Sequence, residues 1–301
     1  MSAPIGFVGL GSMGLPMAAR LVRAGHPVLG CDLLPEAAAE FRALGGATLA
    51  TPREVADRCA VVLVSLPTPA AVEAVATGTD GLLLGSRIAL YVDLSTTGPQ
   101  VAKRVAQALA ARGIVAFDAP VSGGVAGAEQ GSLSIMVAGP KASLADVEPL
   151  LRCMGKIFFI GEQPGMGHLL KLINNLLSTT ALAATYEALT LGVKGGLDPQ
   201  MMVDVLRVST GTNHAIESKI PNYVLPGRPM GFALDLSYKD VSLCVEAGEA
   251  LQVPMRFGSQ TRDIWREAIA KIGPKQDYLQ VVRLFEASAG VRLAGTAAPK
   301  A

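Results

Sequence analysis

Two polar side chains in an otherwise apolar stretch are the residues best suited to acid–base chemistry in this chain of 301 residues. Lys171 and Asn175 are four residues apart, and this spacing brings two side chains onto the same face of a helix. Leucine and isoleucine residues surround the lysine, and partial burial among them favours its neutral form and eases proton exchange. The pair predicts a proton donor and acceptor beside an amide that can hold a substrate hydroxyl. A solvated lysine on a surface helix is the alternative interpretation.

A glycine-rich turn near the start of the chain predicts a dinucleotide site. Residues 5–8 are apolar and short enough for a buried strand, and Gly9, Gly11 and Gly14 follow at the G-x-G-x-x-G spacing. The first glycine permits a sharp turn, the second lets a pyrophosphate approach the backbone, and the third lets helix and strand pack closely. The helix that starts near Met13 points its N-terminal N–H groups at that pyrophosphate.

Asp32 bears on the choice of cofactor. It follows the next predicted strand, about 20 residues past the glycines, where a carboxylate accepts both ribose hydroxyls and repels a 2′-phosphate. No arginine directly follows Asp32. The sequence therefore favours NAD over NADP. Asp32 as the cap of a helix that begins near Pro35 is an alternative, and both roles are compatible.

A second glycine turn predicts a site for a carboxylate. Residues 118–124 follow the end of a strand, where ligands of open α/β sheets bind. Gly123 and Gly124 expose backbone N–H groups, and Ser122 adds a hydroxyl donor. An ordinary glycine turn is the alternative. Lys239 and Asp240, on a predicted helix of the second half, form by themselves an unremarkable surface charge pair.

Composition excludes several classes of protein. Half of the residues are hydrophobic and the net charge is +1, which gives no sign of a nucleic-acid surface. The four cysteines and three histidines have no disulfide or metal-binding spacing, so we expect a reduced, cytoplasmic protein without a metal. No secretory signal is evident. The apolar segment 172–186 contains asparagines, serine and threonines, and we expect it to be too polar and too short to cross a membrane.

Strand-like and helix-like runs alternate through the first half of the chain. This alternation predicts a Rossmann-like, doubly wound and mostly parallel sheet covered on both faces, with room for an antiparallel edge. The second half predicts an all-helical domain joined through one long helix. We expect a NAD-binding domain over residues 1–163, an interdomain helix over 164–194 and a helical domain over 195–301. The predicted strands are 5–8, 27–31, 60–66, 88–94, 115–117, 134–138 and 157–160; the later helices are 199–208, 236–251, 256–270 and 278–288.

Four motifs, taken in order, resemble the β-hydroxyacid dehydrogenase family, in its 3-hydroxyisobutyrate dehydrogenase group. They are residues 6–14, residues 118–124, residues 165–175 and the pair Lys239-Asp240. The resemblance spans nearly the whole chain, and the order of four motifs is far more specific than any one of them. Imine-reducing relatives usually lack the lysine, so Lys171 argues against that branch.

The resemblance implies a role for each matching residue. Lys171 is the catalytic acid and base, and Asn175 orients the substrate hydroxyl. Ser122, Gly123 and Gly124 hold the substrate carboxylate. Phe232 and Asp240 shape the substrate cleft. The residues implied at the cofactor are Gly9, Leu10, Gly11, Ser12, Met13, Gly14, Asp32, Leu66, Pro67, Thr96 and Lys239.

The expected function is the NAD-dependent interconversion of a short 3-hydroxy acid and its semialdehyde or 3-oxo acid. A 3-hydroxyisobutyrate-like compound is the first expectation, and tartronate semialdehyde, succinic semialdehyde and threonate are the alternatives. Residues 209–214 match no pattern that defines the substrate. A non-catalytic dinucleotide-binding module ranks below the enzyme, because Lys171 and Asn175 are both present. We expect a homodimer or homotetramer that acts on a small carboxylate, with neither a nucleic-acid nor a membrane partner.

Overall fold

The computed structural model describes residues 3–295, which divide into two compact units between Lys171 and Leu172. The first unit contains one nine-stranded sheet. Its strands are β1 (Ile5–Val8), β2 (Val28–Cys31), β3 (Ala47–Thr48), β4 (Val61–Val64), β5 (Leu90–Asp93), β6 (Val115–Asp118), β7 (Val121–Ser122), β8 (Leu133–Ala138) and β9 (Gly155–Gly161).

Six strands run in the order β3-β2-β1-β4-β5-β6 and are parallel, as in dinucleotide-binding sheets. Alternate side chains of a strand point to opposite faces, so Phe7 and Leu63 pack in one core cluster while Val8 and Val62 pack in another. Burial on both faces explains why these strands are continuously apolar. β8 pairs antiparallel with β6 and β7 and parallel with β9, which provides the predicted antiparallel edge.

Local sequence determines where the helices of this unit begin. Four of them start with a proline, whose fixed φ suits the first helical position. The side chains of Thr51 and Thr68 accept the N–H groups of Glu54 and Ala71 and thereby cap two of these helices. The helices are α1 (Gly14–Arg23), α2 (Pro35–Ala43), α3 (Pro52–Arg58), α4 (Pro69–Thr77), α5 (Pro99–Ala110), α6 (Gly124–Gln130) and α7 (Leu144–Arg152).

The second unit is helical. Helix α8 (Met166–Lys194) begins in the first unit and continues into the second. In the described part of the second unit, the β-pairing consists of one isolated antiparallel bridge between Ala233 and Asp277. The hydrophobic core of the second unit includes Tyr186, Ile220 and Trp265. The remaining helices are α9 (Pro199–Arg207), a π-helix (Ala215–Val224), α10 (Leu234–Ala250), α11 (Arg256–Ile272), a 3₁₀-helix (Tyr278–Val281) and α12 (Val282–Ala289).

The structure confirms the predicted fold class and differs in local detail. The predicted strands depart from the observed ones by no more than two residues at either end. β3 and β7 have two residues each and the sequence analysis did not predict them, because two residues show no periodicity. The π-helix was also not predicted, and the predicted helix 278–288 is a 3₁₀ turn followed by α12.

The length of α8 corrects one argument about membranes. With 29 residues, it is the one helix among residues 3–295 that is long and apolar enough for a membrane span. The expectation that this segment is too polar and too short to cross a membrane is therefore wrong by length and composition. Core helices of soluble proteins also pass this test, and α8 contains the asparagines and threonines that the sequence analysis noted.

Candidate active site

The glycine loop between β1 and α1 has the shape that a dinucleotide requires. Gly9 has φ +92°, and a Cβ atom there would lie 2.1 Å from the Ser65 carbonyl oxygen. A Cβ atom on Gly14 would lie 1.9 Å from the Gly9 carbonyl oxygen, so packing alone explains both glycines. Gly11 is different, since it is exposed and a Cβ there would meet nothing within 4 Å. The space in front of Gly11 fits a pyrophosphate that approaches the backbone.

The Asp32 carboxylate is fixed beside this loop. Its Oδ2 atom accepts the N–H of Leu10 at 2.6 Å, and its Oδ1 atom accepts the N–H of Leu34 at 2.8 Å. A carboxylate has about four acceptor positions, so each oxygen keeps one for a ribose hydroxyl. Helix α2 has Leu34 as its N-cap residue and no side-chain cap, so Asp32 orders the preceding turn instead of capping the helix.

The other predicted cofactor residues of the first unit follow the neighbouring strands. Leu66 and Pro67 come after β4 and Thr96 comes after β5, at the carboxyl edge where ligands of such sheets bind. The Leu66 N–H donates to the Ser95 hydroxyl at 2.9 Å, which ties the ends of these two strands together. The sheet thus gathers Gly9–Gly14, Asp32, Leu66, Pro67 and Thr96 on one edge.

The predicted carboxylate cradle lies where β7 passes into α6. Ser122 ends β7, and Gly123 and Gly124 are exposed, with φ values of +133° and +65°. L side chains rarely adopt such backbone conformations, so the turn requires glycine whether or not it binds a ligand. The geometry is compatible with both the cradle and the ordinary glycine turn.

A buried polar network fixes the first turn of α8. Asp118 Oδ2 accepts the N–H groups of Gly165 at 2.6 Å and Gly167 at 3.2 Å. The His168 ring is fully buried, and its Nε2 lies 3.4 Å from Asp93 Oδ2 and 3.8 Å from Asp118 Oδ1. The ends of β5 and β6 therefore hold the turn that precedes Lys171.

The two carboxylates of this network titrate differently. Burial raises the pKa of Asp118 above its ordinary value, although attraction to His168 and the Gly165 N–H act in the opposite direction. Burial also acts to raise the pKa of Asp93, but its interactions with His168 and Ser95 outweigh burial and leave it below the ordinary value. Asp93 therefore carries the more persistent negative charge next to His168.

Lys171 lies one turn further along α8. It is 9 % exposed, which confirms the partial burial that its apolar neighbours predict and excludes a solvated surface lysine. Asn175 follows on the same helix face, since four residues make slightly more than one turn.

Asp240 anchors Asn175 within the second unit. Asn175 Nδ2 donates to Asp240 Oδ2 at 2.7 Å, and Lys239 Nζ lies 3.1 Å from Asp240 Oδ1. Asp240 is buried, so the pair Lys239-Asp240 is more than a surface charge pair. Asn175 Oδ1 accepts from Asn174, and its amide keeps one N–H and one lone pair for a ligand.

Phe232, the remaining predicted residue, lies in the second unit. Phe232 is half-buried and packs edge to face on Tyr278, with ring centroids 5.5 Å apart. The sequence analysis assigned no site role to His168, Asp93 or Lys219, because their burial depends on distant residues. Among the described residues, no group of three His, Cys, Asp or Glu side chains is placed to hold a metal ion.

Two family models match the two parts of the chain. Residues 4–161 match the family described as the NAD binding domain of 6-phosphogluconate dehydrogenase. Residues 165–285 match the family described as NAD-binding of NADP-dependent 3-hydroxyisobutyrate dehydrogenase. The chain is 36% identical over 297 residues to 2-(hydroxymethyl)glutarate dehydrogenase of Eubacterium barkeri, with 98% of each chain covered.

Two 3-hydroxyisobutyrate dehydrogenases are also similar. The enzyme of Pseudomonas aeruginosa is 39% identical over 271 residues, which cover 87% of this chain and 90% of that one. The structure of the Mycobacterium tuberculosis enzyme with L-serine has a TM-score of 0.85 and 34% identity, over 94% of this chain and 99% of that one.

The fold and these similarities define an oxidoreductase that acts on CH–OH groups of hydroxy acids and carries a NAD(P)-binding domain. The chain belongs to the β-hydroxyacid dehydrogenase family, as its four motifs predict.

Proposed function

We propose that this protein is an NAD-dependent dehydrogenase that interconverts a short 3-hydroxy acid and its semialdehyde or 3-oxo acid, with Lys171 as acid and base. One observation carries the proposal. Lys171 is 9 % exposed and precedes, by one helical turn, an asparagine whose amide a buried aspartate holds. A desolvated amine exchanges its proton more readily than a solvated one, and the fixed amide supplies orientation.

A bound nicotinamide supplies hydride transfer at the carbon that carries the hydroxyl. In oxidation, neutral Lys171 removes the hydroxyl proton; in reduction, its ammonium returns a proton to the developing alkoxide. Asn175 holds the hydroxyl through the N–H and lone pair that its contacts with Asp240 and Asn174 leave available. The network of Asp93, Asp118 and His168 keeps the turn before Lys171 in place.

The substrate carboxylate binds, in this proposal, to the turn of Ser122, Gly123 and Gly124. A hydroxyl and exposed backbone N–H groups are suitable donors for a carboxylate. Anchoring the acid at one end restricts the hydroxyl to the neighbourhood of Lys171, and such restriction contributes a large effective concentration.

Asp32 supports the choice of NAD. Two backbone N–H groups hold its carboxylate at the loop, so a 2′-phosphate would meet a fixed like charge. The named relatives leave the substituent at C2 of the acid open. One name specifies the methyl group of 3-hydroxyisobutyrate, and the other specifies the longer chain of 2-(hydroxymethyl)glutarate.

The test compares the turnover of Lys171→Ala and the wild type with a panel of 3-hydroxy acids. Turnover is monitored through the absorbance of reduced nicotinamide. We expect turnover to fall at least about a hundredfold, which is the usual scale of general acid–base catalysis, with little change in cofactor affinity. Lys271→Ala is the matched control, because this lysine is exposed and pairs with Glu267 on the same helix. Near-normal turnover of the purified Lys171→Ala protein contradicts the proposed role.

A further inference from the structure

A buried lysine in the second unit has no assigned role in the proposed chemistry. Lys219 lies in the π-helix Ala215–Val224 and is 3 % exposed. Its Nζ donates one hydrogen bond, to the Ser178 hydroxyl at 2.7 Å, and lies 5.4 Å from the centre of the Tyr278 ring. π-helices are rare and occur frequently at functional sites.

Nothing among residues 3–295 neutralises this ammonium. Burial lowers the pKa of Lys219 to about 8, and no neighbouring carboxylate contributes in the opposite direction. An ammonium has three N–H donors, and one of them donates a hydrogen bond to the Ser178 hydroxyl. Lysines are almost never fully buried without a charged partner, because an isolated buried charge is costly. The site therefore has a positive charge and free donors for an anionic ligand.

Ser178 connects this ammonium with the reacting face of α8. It is three residues after Asn175 and seven after Lys171, so the three side chains share one face of the helix. Along the axis, Ser178 is about 4.5 Å beyond Asn175, at a rise of about 1.5 Å per residue. Ser178 is half-buried, and its hydroxyl accepts the hydrogen bond of this ammonium. The separation corresponds to a few carbon–carbon bonds beyond the substrate hydroxyl.

We propose that Lys219, together with Ser178, binds a second carboxylate of the substrate. The substrate class is then a 3-hydroxy acid with a short carboxylate-bearing chain at C2. This inference rests on the proposed function, because it defines the second carboxylate relative to the hydroxyl at Lys171 and Asn175. Tyr278 presents its ring face to the ammonium, a contact that attracts a cation.

The first experiment compares two substrates that differ in one charge: 2-(hydroxymethyl)glutarate and its ester with methanol at the distal carboxylate. We expect the wild-type kcat/KM to be about 100-fold higher for the diacid. The ester has no distal charge, so its binding would leave the buried Lys219 ammonium without a charged partner. In Lys219→Met the ratio of the two kcat/KM values falls to within about threefold of one. The matched control Lys271→Met, an exposed lysine paired with Glu267, keeps the wild-type ratio.

Each other outcome has a distinct meaning. A wild-type ratio near one, with efficient turnover of 3-hydroxyisobutyrate, overturns this inference and leaves the proposed function intact. A high ratio that survives in Lys219→Met places the selectivity elsewhere and overturns the assignment of Lys219. Failure of every 3-hydroxy acid to react counts against the proposed function itself.

A binding measurement keeps the inference testable without turnover and without a variant. Glutarate has two carboxylates and no hydroxyl, and its monomethyl ester lacks one charge. Calorimetry on the wild-type enzyme with NAD should show glutarate binding at least about tenfold more tightly than the ester. Equal affinities would overturn the inference even if Lys219→Met fails to fold.

Discussion

Without a bound anion, the buried Lys219 ammonium should make the fold less stable than an apolar side chain would. Burial lowers its pKa from the ordinary 10.5 to about 8. This difference corresponds to roughly 3 kcal/mol of unfolding free energy, because each pKa unit is worth about 1.36 kcal/mol. Lys219→Met removes the charge and keeps much of the volume, but it loses a hydrogen bond worth about 1 kcal/mol. We expect the variant to be more stable than the wild type by about 1–3 kcal/mol at pH 7.

The sign of the pH dependence follows from the two states. Below pH 8 both the folded and the unfolded wild-type protein carry the proton, and the full cost of the buried charge is present. Between about pH 8 and 10.5 the folded protein has released the proton while the unfolded chain keeps it, so wild-type stability rises with pH. The advantage of Lys219→Met should therefore shrink across this range.

Trp265 provides the assay. It is the single tryptophan of the chain, it is buried in the second unit, and its indole N–H donates to Ser237 at 2.9 Å. Urea denaturation followed by its fluorescence, at several values from pH 7 to pH 9.5, gives the unfolding free energy of each protein. Burial raises the pKa of Cys31, Cys59 and Cys244 to about 11, and this effect cancels in the difference between the two proteins.

Two results together would refute the reasoning. The first is a variant that is more than about 1 kcal/mol less stable than the wild type at pH 7, and the second is a difference that stays constant with pH. They would mean that Lys219 is a satisfied structural residue. Lys271→Met, at an exposed position, should change stability by less than about 0.5 kcal/mol at every pH and serves as the control.

Three further predictions concern the cofactor loop and assembly. Gly11→Ala should raise the KM for NAD at least about tenfold with little change in Tm. Gly14→Ala should lower the Tm, because its Cβ would lie 1.9 Å from a carbonyl oxygen. An equal loss of Tm in both variants would contradict this distinction. The Asp32 carboxylate should make kcat/KM at least about tenfold higher for NAD than for NADP, and a preference for NADP would show that another residue controls the ribose pocket. Ile173 and Leu177 are exposed on the face of α8 opposite Lys171, and exposed apolar side chains mark interaction surfaces. Light scattering should therefore give at least a dimer, and Leu177→Asp should lower the mass towards the 31.1 kDa of one chain. A wild-type monomer at micromolar concentration would exclude this interface.

Sequence alone predicts those parts of the molecule that short-range patterns define. The glycine spacing locates Gly9, Gly11 and Gly14 correctly between β1 and α1, and the apolar runs locate the central strands. It also places Lys171 and Asn175 on one helix face, because that relation depends only on four consecutive steps of a helix.

The missed features depend on contacts between distant residues. Lys219 is buried by Ser178 and Tyr278, which are 41 and 59 residues away in the sequence. His168 on α8 meets Asp93 at the end of β5, 75 residues earlier in the sequence. Local periodicity does not distinguish Lys219 from an exposed lysine, and it does not show that His168 contacts two carboxylates.

The hydrogen bonds of Asp118 bear on how enzymes of this architecture can be recombined. Because its carboxylate accepts the N–H groups of Gly165 and Gly167, the first turn of α8 is built into the sheet of the first unit. A Cβ atom at position 167 would lie 2.5 Å from the Met136 carbonyl oxygen, so that turn also accepts only glycine there. A chimaera that takes its helical half from another protein should therefore be joined after Lys171, inside the helix. A junction in the loop before Met166 would place the Asp118 carboxylate and the N–H groups that it accepts in segments from different proteins. The second protein would then have to supply a turn that restores these hydrogen bonds.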